Sequence, residues 1–407
     1  MVARRTAALW GLVLVLFTAV ITWGVTTWVD GLPPLGRGAA ALPLPPADTD
    51  SLLQGLGLIA RHALKPPDMA RVTQAALGAA VTSLGDPYSG YLAPAAYRAM
   101  RNAASGRYAG VGIEVAEQAG ELVITRVLPD TPAADTPYVG APAGAALGLA
   151  AGDRLLRING RPVAHMDMAS VGDAVQGAPG TLVQLEVQRG GVRLTFSLKR
   201  REITVASVTS RLLAPGLGYI RIRLFNYGTP GQFAAQLARL RGEGMRELVL
   251  DLRNNPGGLL SSVVGVARWV LPAGVVTYLQ PRNGPRHAYR LTRTHPLTIP
   301  FVVLVNGHTA SAAELLAAAI QDDRLAPLVG ERTYGKGVVQ QIFPLANGGA
   351  LRLTVARYLS PDGRDINGVG VTPNETVPAQ RTGDQLGNLA TDPQLAAALR
   401  LLHRAAA

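Results

Sequence analysis

The chain has 407 residues, of which 48% are hydrophobic and only 16% charged, a composition that excludes disorder over most of its length and predicts two or three domains. It contains no cysteine, which excludes a disulfide framework, a thiolate nucleophile and cysteine-based zinc or iron–sulfur sites. The formal charge of +12 comes from arginines scattered singly along the chain, so nucleic-acid binding is not expected.

The first predicted element is a membrane anchor. An uncharged stretch from Ala7 to Val29 follows Arg4 and Arg5 and is long enough to cross the hydrocarbon core as a helix. A cleaved signal peptide is the alternative, but its apolar core would be unusually long. We therefore expect an anchor over residues 1–29, a linker over 30–48, and a single-pass cell-membrane protein whose body is extracytoplasmic.

Residues 49–105 form the next predicted segment, since apolar residues recur there at helical spacing. From 106 to 200 the pattern changes to short β-rich runs separated by Gly and Pro, such as Leu122–Val127, Arg154–Ile158 and Leu182–Gln188. The glycine-rich loop of Gly110, Val111, Gly112 and Ile113, followed by the element from Gly152 to Gly160, resembles a PDZ domain. That resemblance implies a loop that binds the C-terminal carboxylate of a peptide.

Residues 201–380 alternate apolar strands with helices, which predicts a mixed or parallel α/β sheet with its active site on the connecting loops. The tail, 381–407, is predicted to end in an amphipathic helix over Pro393–Arg404. The predicted fold class is therefore multi-domain α+β, with a transmembrane helix, a helical segment, a β-domain that resembles a PDZ domain, and an α/β core.

The segment Pro300–Glu314 has the pattern of a buried strand, a tight turn and the start of a helix. A serine in that turn, Ser311, would have backbone N–H groups nearby that favour developing negative charge, as an acyl-transfer nucleophile requires. The spacing from Ser311 to Glu314 also fits a capping box, and this segment by itself favours the cap. His308 suggests a Ser–His pair as a minor alternative, although it is very close to Ser311 in the same turn.

The second candidate segment runs from Gly330 to Gln340. It nearly matches a phosphate-binding loop, but Gly337 replaces the magnesium-binding Ser/Thr and a strand is predicted where that loop needs a helix. Lys336 lies there between two glycines, in a chain whose other basic residues are arginines apart from Lys65 and Lys199. Because a desolvated lysine can become neutral and arginine cannot, Lys336 is a candidate general base; a surface lysine is the alternative.

These motifs together resemble the C-terminal processing peptidases, which are tail-specific serine proteases with a Ser–Lys dyad. The matching segments occur in the same order over almost the whole chain after the predicted anchor: Asp86–Ser89, the PDZ region, Asp251–Gly258, Asn306–Glu314, Thr333–Gln340, Val355–Tyr358 and Gly368–Pro373.

The resemblance implies that the α/β core is a crotonase-like protease domain, and it also implies a role for each matching residue. Ser311 would be the nucleophile, Lys336 its general base, and Gln340 the group that orients the lysine. The oxyanion hole would use the backbone N–H of Ala312 and that of Gly257 or Gly258.

The implied function is hydrolysis of peptide bonds in exported proteins that are selected by a free C-terminal tail. The alternative is a non-catalytic PDZ adaptor with a degenerate protease domain. The expected partners are protein or peptide substrates and, through the N-terminal helix, the membrane, and homo-oligomers are left open. No cofactor and no metal are expected, since the five histidines other than His308 have no metal-ligand spacing.

Overall fold

The computed structural model describes residues 46–118, 120–144, 148–164, 166, 168–378 and 386–405. The chain divides into two compact units. One is formed by the described residues up to Tyr97 together with those from Ser207 onward, and the other, from Arg98 to Ala206, is inserted between them. The helical segment that precedes the insertion therefore belongs to the same unit as the later α/β region.

The helices in these residues are α1 (Pro46–His62), α2 (Met69–Thr82), α3 (Pro94–Ser105), α4 (Pro132–Asp135), α5 (Met168–Val175), α6 (Thr229–Gly242), α7 (Leu260–Ala267), α8 (Ala312–Asp322) and α9 (Pro393–Ala405). The strands up to the end of the inserted unit are β1 (Gly90–Leu92), β2 (Arg107–Gly110), β3 (Ile113–Gln118), β4 (Glu121–Val127), β5 (Arg154–Ile158), β6 (Arg161–Pro162), β7 (Leu182–Arg189), β8 (Val192–Lys199) and β9 (Arg201–Thr204). The later strands are β10 (Val208–Ala214), β11 (Leu217–Ile222), β12 (Glu247–Asp251), β13 (Gly274–Pro281), β14 (His287–Leu291), β15 (Phe301–Val305), β16 (Leu328–Gly330), β17 (Val338–Pro344), β18 (Ala350–Leu359) and β19 (Glu375–Thr376).

The inserted unit is a small β domain. Its main sheet has the order β3-β4-β5-β7-β8, with β6 beside β5, and β2 pairs separately with β9. Strand β7 shows why this segment forms a sheet with one buried face: Val183, Leu185 and Val187 alternate with more exposed residues and are fully buried in the core of the unit. Strand β3 ends the sheet, so its outer edge has no neighbouring strand in the described residues.

The larger unit contains a six-stranded sheet of order β10-β11-β12-β15-β16-β19, in which all pairs except β10–β11 are parallel. Both of its faces are covered. Leu248 and Leu250 of β12 join the core formed with α6, α7 and α8, whereas Val249 between them joins the core formed with α9. The predicted α/β arrangement is thus observed, and the loops that follow β12 and β15 leave the same edge of the sheet.

A second sheet of the same unit has β18 at its centre. β18 pairs antiparallel with β17 along most of its length, and on its other side with β1 and β13. Because β1 lies between α2 and α3, the early helical segment contributes a strand to this sheet. The two sheets supply the two halves of the candidate site, one through the loop after β15 and the other through the loop before β17.

The predicted fold class needs one correction, which concerns its transmembrane helix. The longest described helix, α1, has 17 residues and carries Asp48, Asp50 and Arg61, so it is both too short and too charged to span a bilayer. Across the described ranges no helix is long and apolar enough to do so. The stretch Ala7–Val29, where the anchor was predicted, lies outside the described residues, and the structure gives that prediction no support.

Candidate active site

The turn between β15 and α8 holds Ser311 in an unusual backbone conformation. Ser311 has φ 54° and ψ −120° and is completely buried. A positive φ is uncommon for a residue with a side chain and costs free energy that the surrounding contacts must offset. Those contacts include the Asn306 Oδ1 atom, which accepts the N–H of His308 at 3.1 Å, and the Thr309 hydroxyl, which donates to the carbonyl of Leu252 at 2.9 Å.

The capping interpretation of Ser311 is only half realised. Glu314 accepts the backbone N–H of Ser311 at 2.7 Å, as in a capping box. The Ser311 Oγ atom, however, is buried and makes no hydrogen bond to any residue that the structure describes. A buried hydroxyl without a partner is unusual, and here it is free for another role.

The carboxylate of Glu314 joins the serine turn to the lysine loop. One oxygen, Oε2, accepts the backbone N–H of Ser311 at 2.7 Å and that of Lys336 at 2.8 Å. The other, Oε1, accepts the hydroxyl of Thr333 at 2.5 Å and the N–H of Gly335 at 2.7 Å. The sequence suggested only a helix cap for Glu314, because its contacts to the lysine loop are distant along the chain.

Lys336 is a buried lysine, with 2% of its surface exposed, so the surface-lysine alternative is wrong. Burial, together with the nearby Arg352 cation, lowers the pKa of Lys336 from 10.5 to about 8, against opposing effects of Asp86 and Glu314. The Nζ atom lies 5.0 Å from the centre of the Tyr88 ring. It makes no hydrogen bond or ion pair within the described part of the chain.

The turn Asp86–Ser89 forms one wall of the site around Lys336. The sequence did not indicate this contact. Asp86 accepts the N–H of Tyr88 at 3.1 Å and the Ser89 hydroxyl at 2.5 Å. The same Ser89 Oγ accepts the N–H of Thr354 in β18 at 3.0 Å. These contacts attach the turn to β18 and hold the Tyr88 ring against Lys336. In the sequence this motif is only one of the segments that carry the family resemblance, since nothing in its spacing points to the lysine.

Gln340 lies four residues after Lys336, in strand β17, and is also completely buried. Its amide nitrogen donates to the Thr354 hydroxyl at 3.3 Å, and its Oε1 atom has no partner among the described residues. Gln340 and Lys336 are not hydrogen-bonded to each other in this structure. The orienting role of Gln340 stays a prediction.

The loop after β12 brings glycines next to Ser311. A Cβ atom built on Gly257 would lie 2.9 Å from both the Ala312 nitrogen and the Ser311 Cβ atom. The Gly257 N–H is already used, since it donates to Asn255 Oδ1 at 2.8 Å. The N–H groups of Gly258 and Ala312 donate no hydrogen bond within the described residues, as expected for Ala312 at the first position of a helix. Of the predicted oxyanion donors, these two are therefore available.

Arg253 fixes the start of this glycine loop. Its guanidinium is buried and pairs with Asp251 of β12 at 2.6 Å and with Asp392 at 2.7 Å. Asp392 also caps α9, accepting the N–H of Leu395 at 3.0 Å. The C-terminal helix is thus connected to the loop that carries Gly257 and Gly258, a contact that no local sequence pattern indicates.

The inserted unit contains a separate groove of about 130 Å3 between β3 and α5. Val115, Val171 and Val175 give it an apolar lining, and three residues of the predicted loop, Val111, Gly112 and Ile113, also line it. The fourth, Gly110, is the last residue of β2 and is not part of the lining. Gly112 has φ +92°, and a Cβ atom there would overlap the Thr131 side chain, so only glycine fits. The N–H groups of Val111 and Gly112 have no acceptor within the described residues.

Two alternatives receive no support from the geometry. His308 is exposed, and Ser311 Oγ has no hydrogen-bond partner among the described residues, so a Ser–His pair is not formed. The segment after Lys336 is the strand β17, where a nucleotide-binding loop would need a helix. Within the described ranges, no group of three His, Cys, Asp or Glu residues is arranged to hold a metal ion.

The chain is similar to known proteases over most of its length. Residues 216–377 match the model of peptidase family S41, and residues 123–189 match that of the PDZ domain. A carboxyl-terminal-processing protease from Picosynechococcus is 36% identical over 356 residues, covering 86% of this chain and 84% of the relative. The carboxy-terminal processing protease CtpA from Bacillus subtilis is 31% identical over 363 residues, covering 88% and 75%. Among solved structures, a photosystem II D1 C-terminal processing protease is 30% identical, with a TM-score of 0.47 and coverage of 80% of this chain and 92% of the other.

Proposed function

The chain belongs to peptidase family S41 as a serine protease that acts on C-terminal tails, and on this premise we propose that Ser311 is its nucleophile and Lys336 its general base. The observation that carries the proposal is the shared Oε2 atom of Glu314, which binds the backbone N–H of both residues. The Ser311 hydroxyl and the buried Lys336 amine, neither of which has a hydrogen-bond partner among the described residues, support the same assignment.

In the proposed acylation step, the neutral Lys336 amine takes the proton of the Ser311 hydroxyl as Oγ attacks the carbonyl carbon of the substrate. The carbonyl oxygen becomes an oxyanion that accepts hydrogen bonds from the N–H groups of Ala312 and Gly258. Each such donor contributes about 3–4 kcal/mol to transition-state stabilisation in serine proteases. The C–N bond then breaks, and the Lys336 ammonium returns the proton to the leaving amine.

In deacylation a water molecule replaces the departed peptide. Lys336 takes a proton from this water as its oxygen attacks the acyl carbon, and the same oxyanion donors hold the second tetrahedral intermediate. Collapse breaks the ester bond, and the lysine gives its proton back to Ser311 Oγ. Ser311 and Lys336 are not hydrogen-bonded in the structure without substrate, as is common before the substrate complex forms.

The pH dependence of kcat/KM tests directly whether Lys336 is the general base. Because Lys336 must be neutral to accept a proton and its pKa is lowered to about 8, kcat/KM should fall as the pH decreases below that value. We expect about a tenfold loss per pH unit on the acidic side and a plateau above about pH 9, measured with a fluorogenic peptide. A profile that is flat from pH 6 to pH 9 would exclude Lys336 as the base.

We also propose that the PDZ groove binds the free carboxylate at the C-terminus of the substrate, with the tail added as a strand beside β3. The N–H groups of Val111 and Gly112, which have no acceptor in the part of the chain that the structure describes, supply the donors. The valines of the groove favour an apolar last residue. The exported location of the substrates, an extracytoplasmic location of this chain and any homo-oligomer stay predictions.

Amidating the C-terminus of a peptide substrate should lower kcat/KM by about tenfold or more, because the anionic acceptor of two backbone N–H groups is lost. The comparison is made between acid and amide forms of one peptide. A Gly112→Ala variant serves as the matched control: its new Cβ atom would displace the loop, so it should process the two forms at similar rates. Equal kcat/KM values for the acid and amide forms with the wild-type enzyme would show that the groove does not bind the carboxylate.

A further inference from the structure

The carboxylate of Glu314 is completely buried in the first turn of α8, and each of its four hydrogen-bond partners among the described residues is a donor. Three of those partners are backbone N–H groups, which cannot change from donor to acceptor. Each oxygen receives two of the four bonds, so neither oxygen has a position left for a proton. Although burial raises the pKa of Glu314, the four hydrogen bonds oppose that rise, and their geometry requires the ionised form.

The site needs such a connection because its two halves come from different sheets. Ser311 follows β15 of the six-stranded sheet, whereas Lys336 precedes β17 of the sheet built around β18. The two backbone nitrogens lie 2.7 and 2.8 Å from one and the same oxygen atom of Glu314. Their separation is therefore fixed by a single acceptor.

We propose that Glu314 is a positioning residue that sets the separation of nucleophile and base by holding the backbone N–H groups of both on one carboxylate oxygen. This inference rests on the proposed roles of Ser311 and Lys336. Glu314 itself takes no proton and touches no substrate in this account. It acts through the two segments that it joins.

A glutamine at this position has the same shape but only one acceptor oxygen. In either orientation its NH2 group would face at least one backbone N–H that now donates to Glu314, so that segment would have to shift. Since a misplacement of about 1 Å can lower a rate by about 100-fold, the loss should appear in kcat. KM should change little, because the groups that bind the substrate are untouched.

The charge of Glu314 gives a second consequence that a purely structural role would not have. The charged or titratable groups that face Lys336 are Asp86 and Tyr88 from the turn before β1, Glu314 from α8 and Arg352 from β18. Glu314 favours the protonated lysine, so its neutralisation should shift the midpoint of the pH profile of kcat/KM to lower pH.

The experiment compares Glu314→Gln with the wild type in melting temperature, kcat, KM and the pH profile. We expect a folded protein with kcat lower by about 100-fold, KM within about threefold, and a pH midpoint below that of the wild type. Asp68→Asn is the matched control, since Asp68 also accepts backbone N–H groups in the first turn of a helix, α2, and has no part in the site. It should leave kcat and the pH midpoint unchanged.

A Glu314→Gln enzyme that keeps kcat within about threefold of the wild type, or loses activity with no shift of the midpoint, would overturn the inference. If Glu314→Gln does not fold, Glu314→Asp provides the test instead. Aspartate keeps the charge but is shorter by one methylene, so kcat should fall while the midpoint of the pH profile of kcat/KM stays in place. Unchanged kcat in folded Glu314→Asp would then overturn it. A Ser311→Ala control distinguishes a failure of this inference from a failure of the proposed function. If Ser311→Ala retains activity, the proposed function itself is refuted.

Discussion

Lys336→Arg should abolish proteolysis in a protein that still folds, with kcat/KM lower by about 10^4-fold or more. The substitution keeps the positive charge in a chain that uses arginine almost everywhere else. A guanidinium does not release its proton at any accessible pH, so it cannot accept one from Ser311. The loss should therefore approach that of Ser311→Ala, and it should not be recovered by raising the pH.

Lys199→Arg is the matched control for this substitution, since Lys199 is an exposed lysine at the end of β8. Its kcat/KM should equal that of the wild type. Combining Lys336→Arg with Ser311→Ala should add no further loss, because removing either member already disables the unit. A folded Lys336→Arg enzyme that keeps about a tenth of the wild-type kcat/KM, a loss of only about 1.4 kcal/mol, would exclude the Ser–Lys mechanism.

Gly258→Ala should have the second largest effect, because it acts on both the oxyanion donor and the fold of its loop. Gly258 has φ +141°, and a Cβ atom there would overlap the carbonyl oxygen of Phe225. That carbonyl accepts the N–H of Leu259 at 2.7 Å, so relieving the overlap moves the whole loop and its Gly258 N–H. We expect kcat to fall by about 10^2- to 10^3-fold, the loss associated with one oxyanion donor, together with a lower melting temperature.

Gly231→Ala provides the comparison for Gly258→Ala. Gly231 lies in helix α6, and a Cβ atom built there would meet no atom of the described residues within 4 Å. Alanine should stabilise that helix by about 1 kcal/mol and leave kcat unchanged. A Gly258→Ala enzyme with more than half of the wild-type kcat would remove the Gly258 N–H from the oxyanion hole.

The sequence was most informative where structure depends on neighbours along the chain. The buried strand β15, the turn with Ser311 and helix α8 follow from an apolar run, turn residues and an Ala/Leu run. Lys336 was identified because it is rare in this chain, and β17 was recognised as a strand despite the resemblance to a phosphate-binding loop. Each of these inferences needed only residues within a short segment.

The remaining features depend on contacts between distant segments, which no local pattern encodes. Tyr88 lies against Lys336 only because β1 pairs with β18, and Arg253 meets Asp392 across 139 positions of sequence. The choice between Gly257 and Gly258 required knowing that the Asn255 side chain occupies the first of the two N–H groups. Glu314 was interpreted correctly as a helix cap, but its contacts to the lysine loop could not be predicted from the capping pattern.

The most direct test of the central claim is mass spectrometry of the products formed when the full chain is incubated with a protein substrate that ends in an apolar, free C-terminal tail. The wild-type enzyme should release peptides from that tail. Ser311→Ala and Lys336→Arg, each confirmed to be folded by its melting temperature, should release none above the rate without enzyme. Peptides released by folded Ser311→Ala at the wild-type rate would contradict the assignment of Ser311 as the nucleophile.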